Sequence, residues 1–350
     1  MLKLGIRRLS DFPLEASAQR FMFRSPNRVS YQLLRTAQPP SAHEIAVFDH
    51  VMRQMQLSSG VYRTTVRQRF ANLNPPIGSL LAEHFPTSSP LSVHALSVHD
   101  WAASSCLTSA EWAESLLTQF PAATLTASDL TLHLLEATLP DGGILIFEKD
   151  GAPLQYLKGP FVVRLVPPEP SLLPINSYLG ARAKAQFARL AAQWQLPAAW
   201  LNHDLFTTPS LTQDGVVFRK IPIVHPEAAT LASQNPRFHI LRHSAFEALP
   251  SPVDVIRTMN IFNNAYFPPE RLATGARAVW QSLRTGGIWI VGRTISEAPP
   301  IHEVSVFTRT DSGFTLLSRI GPGSEIESLV LATIYPSSGY PTGYPAGFPA

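Results

Sequence analysis

The chain has 350 residues, 45% of them hydrophobic, and a net charge of +3. This supports a sizeable core and argues against global disorder. The arginines are scattered rather than gathered into a nucleic-acid-binding stripe. A single cysteine, Cys106, rules out an internal disulfide and suits a reducing compartment. No apolar run is long enough to span a bilayer, and residues 1–24 lack a secretory core segment. A cytoplasmic protein with neither a nucleic-acid nor a membrane partner is expected.

Residues 1–90 read as a helical N-terminal region. Ile45, Phe48, Val51, Met52 and Met55 fall at helical spacing, with Ser41 as N-cap behind Pro39-Pro40. Residues 61–73 form a second, basic amphipathic stretch, which Pro75-Pro76 is expected to end. From about residue 91 the pattern changes to strand–helix alternation. A strand over 93–98, a helix over 108–120 and a strand over 125–127 make a βαβ unit, and hence a parallel sheet.

Residues 144–148 and 154–165 are strand-like about the turn Lys149-Asp150-Gly151, which suggests an antiparallel insertion spanning roughly 140–215. An amphipathic helix over 178–195 lies within it. Alternation resumes with strands at 238–241 and 253–259. A helix over 269–284 carries Leu272, Ala276, Val279 and Leu283 on one side and ends at Gly286-Gly287. Residues 288–291 read as a buried strand, 304–308 and 314–318 as a hairpin, and 329–334 as strand-like. The segment 336–350 repeats Gly-Tyr-Pro and Gly-Phe-Pro and reads as a disordered tail, with an aromatic docking tail as the sharper alternative.

Open α/β sheets bind ligands beyond the carboxyl ends of their strands. Three strand ends carry suitable groups. Asp100 is followed by Trp101, Ala102, Ala103, Ser104, Ser105 and Cys106, where small side chains let the backbone approach a ligand and the next helix offers free N–H groups. Asp129, followed by Leu130, suits the two hydroxyls of a ribose. Asn260 brings a carboxamide able to bridge an amino-acid moiety or a substrate group.

The turn from Val98 to Cys106 resembles the first motif of S-adenosylmethionine (AdoMet)-dependent methyltransferases, an acidic residue followed by three alternating glycines. Here Ala102, Ser104 and Cys106 stand at the glycine positions. Residues 253–263, Tyr266-Phe267 and residues 283–293 resemble the chemotaxis receptor glutamate methyltransferases, which also have an N-terminal helical region and a small antiparallel β insertion. The resemblance covers about residues 90–330. It implies an α/β fold: a Rossmann-like methyltransferase sheet with a C-terminal antiparallel hairpin, at about residues 91–335.

The resemblance further implies AdoMet as cofactor, with Asp100 near its amino group, Asp129 on the ribose, Trp101 and Leu130 alongside, and Ser244, Ala245 and Phe246 flanking the adenine. The expected reaction is methyl transfer to a carboxylate or another oxygen or nitrogen acceptor, on a protein or a small metabolite. The alternative is a catalytically inactive methyltransferase-fold scaffold or binding module. The replaced glycines bear on that choice, because a side chain costs backbone freedom where φ is positive.

No catalytic base is named. Tyr266, Arg293 and His302 lie near the expected mouth, and Arg293 suits a carboxylate acceptor; packing and surface roles are the ordinary readings. No metal is expected: His239 and His243 lack further ligands at suitable spacing. His225-Pro226-Glu227 matches half of a zinc deaminase signature whose other half needs two cysteines. Cys106 is better explained by its smallness than as a nucleophile. A nicotinamide oxidoreductase is disfavoured by the lack of Gly-x-Gly-x-x-Gly. The N-terminal helices are candidates for a lid, a homodimer contact or a substrate platform.

Overall fold

The computed structural model describes residues 4–12, 24–60, 62–86, 95–166, 174–203 and 208–335; the expected tail at 336–350 lies outside them. In chain order the elements are β1 (Leu4–Ile6), β2 (Arg24–Val29), α1 (Ala42–Gln54), α2 (Asn74–His84), β3 (Ser97–Trp101), α3 (Leu107–Gln119), β4 (Thr124–Asp129), β5 (His133–Thr138), β6 (Ile144–Phe147), β7 (Pro153–Lys158) and β8 (Phe161–Arg164). There follow α4 (Pro174–Ala191), α5 (Ala198–Asn202), β9 (Leu211–Gln213), β10 (Val216–Pro222), α6 (Pro226–Gln234), β11 (Phe238–Arg242), β12 (Val253–Met259), α7 (Pro269–Ser282), β13 (Leu283–Glu297), β14 (Pro300–Thr310), β15 (Gly313–Ile320) and α8 (Glu327–Ala332).

The fold class is α/β and Rossmann-like. Seven strands are ordered β11-β4-β3-β12-β13-β14-β15. β12 is parallel to β3 on one side and to β13 on the other, while β13, β14 and β15 form the expected C-terminal antiparallel meander. All seven residues of β12 are buried, as a central parallel strand requires. The chain divides into two compact units, one of residues 1–70, 103–114 and 127–242, the other of residues 71–102, 115–126 and 243–350.

In the first unit a six-stranded sheet runs β8-β7-β6-β5-β10-β9, antiparallel throughout. Strand alternation sends successive side chains to opposite faces. Leu134 and Ile146 join one apolar cluster with Phe48, Val51 and Met52 of α1. Leu135, Leu145 and Phe147 join another with Phe187 of α4 and Phe218 of β10. Both faces are covered, so β5 and β10 show little polar alternation, which is why sequence periodicity missed them and made the insertion look smaller.

α1 starts as expected. Ser41 Oγ accepts a hydrogen bond from the Glu44 amide (3.2 Å), and the Glu44 carboxylate accepts one from the Ser41 amide (2.8 Å), a reciprocal capping box. Buried Gln155 ties the N-terminal segment to the sheet: its Oε1 accepts from the Tyr31 amide (2.9 Å) and its Nε2 donates to the Val29 carbonyl (2.8 Å).

The second unit is built around Trp289 on β13, in ring contact with Phe262, Phe307 and Phe314. α7 buries Leu272, Ala276 and Val279 in the same cluster.

Three local expectations are corrected. Within the expected 61–73 stretch, residues 63–66 are irregular and 67–73 form turns rather than a helix; Arg63 pairs with Asp129, and Arg67 with Glu227 at 2.7 and 2.9 Å. Pro75-Pro76 opens α2 rather than ending a helix, since the first helical turn needs no proline N–H. Residues 329–334 belong mainly to helix α8, where Val330 packs into the cluster of Trp280 and Phe314; apolar composition over so short a run did not separate strand from helix.

Candidate functional site

The loop after β3 keeps a glycine-type backbone without glycines. Ala102, Ser104 and Cys106 have φ of 54°, 55° and 62°. For an L-residue the left-handed region costs about 1–2 kcal/mol. The three residues that replace glycine are thus the three strained ones in this turn. Cys106 is fully buried; its amide donates to the Ala103 carbonyl (2.8 Å) and its carbonyl accepts from Ala110, so it starts α3 rather than presenting a reactive thiol. Trp101 is also buried, and its ring lies 4.6 Å, edge-on, from that of His243. Trp101 Nε1 and His243 Nε2 are buried without a hydrogen-bond partner, and burial lowers the His243 pKa below its usual value. These two rings thus bring two buried polar atoms without partners to the end of β3.

Asp129, at the end of β4, is already engaged through both oxygens. Its Oδ1 accepts from Arg63 Nη1 (2.5 Å) and the Thr131 amide (3.0 Å), and its Oδ2 from the Ser104 amide (2.8 Å). Arg63 Nη2 also donates to the carbonyls of Ser104 (3.0 Å) and Thr131 (2.8 Å). Both side chains of the ion pair are 7% exposed. Ser104 Oγ completes the cluster by donating to the Arg63 carbonyl (3.1 Å) and accepting from Thr65 Oγ1 (3.2 Å). The acceptor expected to hold a ribose therefore holds a guanidinium. Leu130, the next residue, is 53% exposed.

Asp100, on β3, faces Arg257, its register partner on β12. The contact is bidentate, Nε to Oδ1 at 2.9 Å and Nη2 to Oδ2 at 2.5 Å, with 1% and 5% of the two side chains exposed. Arg257 Nη1 donates to Asn74 Oδ1 (3.2 Å). This arginine left a trace in the sequence, since a charge inside a mostly apolar strand needs a buried partner; that the partner is Asp100 follows from the pairing of β12 with β3. Arg63 carried no such signal, since its stretch read only as basic and amphipathic.

The other expected residues are engaged locally. Asn260, with φ of 64°, accepts from the Thr294 amide at 2.7 Å and so pins the loop after β12 to β13. Ser244 Oγ accepts from the Phe246 amide (3.3 Å), and Ala245 is buried. One face of Phe246 is covered by the Arg271 guanidinium at 4.0 Å, and its edge meets Phe262 and Phe267. Arg293 is bound to Glu303 (3.1 Å) and Glu325 (2.7 Å), so its charge is already matched. His302 is buried with Nε2 3.0 Å from Asn72 Oδ1, whereas Tyr266 is 48% exposed. Among the described residues no group of three metal-ligating side chains occurs, and no helix is long and apolar enough to cross a membrane.

No protein-family model and no curated protein matches the chain. Solved structures similar to it include the S-adenosylmethionine-dependent methyltransferase SibL in its apo form, at 11% identity over 65% of this chain and 37% of that one, with a TM-score of 0.27. Streptomyces venezuelae DesVI is 9% identical over 71% and 68%, with a TM-score of 0.29. An amino pentose methyltransferase from Micromonospora echinaspora, solved with its cofactor, is 9% identical over 70% and 66%, with a TM-score of 0.27. The chain spans about two fifths of the length of the SibL structure, 37%. At such scores no residue-by-residue equivalence is drawn from them.

Proposed function

We propose that the protein is an AdoMet-dependent methyltransferase whose ribose-binding carboxylate, Asp129, is latched by Arg63. The observation that carries this reading is the left-handed backbone at Ala102, Ser104 and Cys106, the conformation that the glycines of the cofactor motif exist to provide. Asp129 and the Ser104 amide are the groups that would hold the sugar once Arg63 gives way. The cofactor would supply an activated methyl group. The protein's part would be to align the acceptor and exclude water. A carboxylate acceptor, on a protein as in the chemotaxis receptor enzymes or on a small metabolite, would need no base; a hydroxyl or amine would need one.

The arginine contacts favour a second reading, a catalytically silent binding module. Arg63 on Asp129 and Arg257 on Asp100 occupy from within the carboxylates that a cofactor's ribose hydroxyls and amino group would use, and breaking one such buried pair costs about 3–5 kcal/mol. Calorimetric titration of AdoMet into the full chain and into Arg63→Ala, each first checked for folding by circular dichroism, separates the two. The latched enzyme predicts weak binding to the natural chain and binding at least about tenfold tighter to the variant. A folded Arg63→Ala protein that gives no heat at millimolar AdoMet would establish the silent module.

A further inference from the structure

We infer that the cavity of ≈ 600 Å³ walled by α5, α6, β11 and the start of β5 binds a small organic carboxylate carried on an apolar body. The cavity lies wholly within the first unit. Its size is that of sites for drug-sized ligands, roughly 300–1,000 Å³. Most of its wall is apolar, with Leu132, Leu201 and Phe238 among the lining. Its formally charged side chains are of one sign: Lys149 and Arg242 line it beside the imidazoles of His133, His203 and His239, and among the described residues no acid does.

The cations are held in place by neutral partners. Lys149 Nζ donates to Asn202 Oδ1 (2.7 Å), and Arg242 Nε donates to the Leu130 carbonyl (3.0 Å). Neither contact supplies a counter-charge. Two like charges fixed on one partly apolar cavity, without an acid to offset them, are most stable with an anion between them. A guanidinium fork matches a carboxylate in two parallel hydrogen bonds.

His133 is the second, independent observation. It is 9% exposed, lines the cavity, and its Nε2 has no hydrogen-bond partner. A buried polar atom left unpaired is destabilising, so a ligand oxygen there is favoured. Burial first, and then Lys220, Lys149 and Arg242, push its pKa down to about 4. The ring is therefore neutral at pH 7 and contributes a directional hydrogen bond, leaving the charge pairing to Lys149 and Arg242. Burial and Arg242 likewise lower the Lys149 pKa. None of these side chains belongs to the Asp129 cluster, so this inference stands or falls separately from the methyltransferase reading.

The probe is 2-naphthoate, with 2-naphthamide as its uncharged counterpart and inorganic phosphate as an anion without an apolar body. Each is titrated into the full chain by calorimetry, while proton NMR follows the His133 imidazole. The expected result is that naphthoate binds at least about tenfold more tightly than the amide, a factor that corresponds to about 1.4 kcal/mol. Phosphate should bind more weakly than naphthoate, and naphthoate should raise the His133 pKa. The double variant Lys149→Met, Arg242→Gln, at a half-buried and an exposed position, should lose the preference for naphthoate over the amide. Equal binding of naphthoate and amide, binding of neither at low millimolar concentration, phosphate binding as tightly as naphthoate, an unmoved His133 titration, or an unchanged preference in the double variant would each overturn the inference.

Discussion

Replacing Ala102 by glycine tests whether the turn after β3 is strained. An alanine-to-glycine change ordinarily destabilises a protein, because glycine has more freedom to lose on folding, by roughly 0.5–1 kcal/mol. Here Ala102 sits at φ of 54°, where an L-residue gives up about 1–2 kcal/mol. Glycine recovers that strain, so the expected net effect is stabilisation by about 0.5–1 kcal/mol, the reverse of the usual sign. Ala273, inside α7, is the control, and Ala273→Gly should cost about 1 kcal/mol. The other two positions are less clean. Ser104→Gly forfeits the hydroxyl contacts to Thr65 and the Arg63 carbonyl, and Cys106→Gly empties a fully buried site. Urea unfolding of Ala102→Gly and Ala273→Gly beside the natural chain decides the matter. Equal destabilisation by both changes would refute the strain argument.

Two further outcomes follow from buried charge. Arg257→Met should destabilise by about 3–5 kcal/mol because it strands Asp100 in the core, whereas adding Asp100→Asn should restore much of the loss; a double-mutant cycle with little coupling would contradict the pairing. His133 is held neutral in the folded chain with a pKa of about 4 and titrates near 6.5 when unfolded. Between those values the unfolded chain binds more protons, so stability should fall as pH drops from about 6.5 toward 4, by up to about 1.4 kcal/mol per pH unit, and be flat above. In His133→Phe, that part of the slope measured by urea unfolding should vanish.

Much of the architecture was legible because local signals were strong. Ser41 and Glu44 fixed the start of α1 through a cap that involves only neighbours in sequence. The turn at Lys149-Asp150-Gly151 joins β6 to β7, and β14 and β15 pair as a hairpin as their pattern implied. β5 and β10 were not legible, because a strand covered on both faces loses the alternation by which strands are recognised. The turn at Ala102–Cys106 was identified by its small residues, but whether φ would be positive there depended on how β3 leads into α3.

The candidate site divides in the same way. Residue type and strand-end position were enough to single out Asp100, Asp129 and Asn260. What those groups touch was decided by segments far away in the chain: Arg63 lies 66 residues from Asp129, and Arg257 lies 157 from Asp100. Local sequence sets the backbone at each strand end, since the forces that shape a turn act over a few residues. Charge pairing acts through space, so only the folded chain settles which arginine meets which carboxylate, and with it whether a carboxylate faces a ligand or a side chain of its own protein.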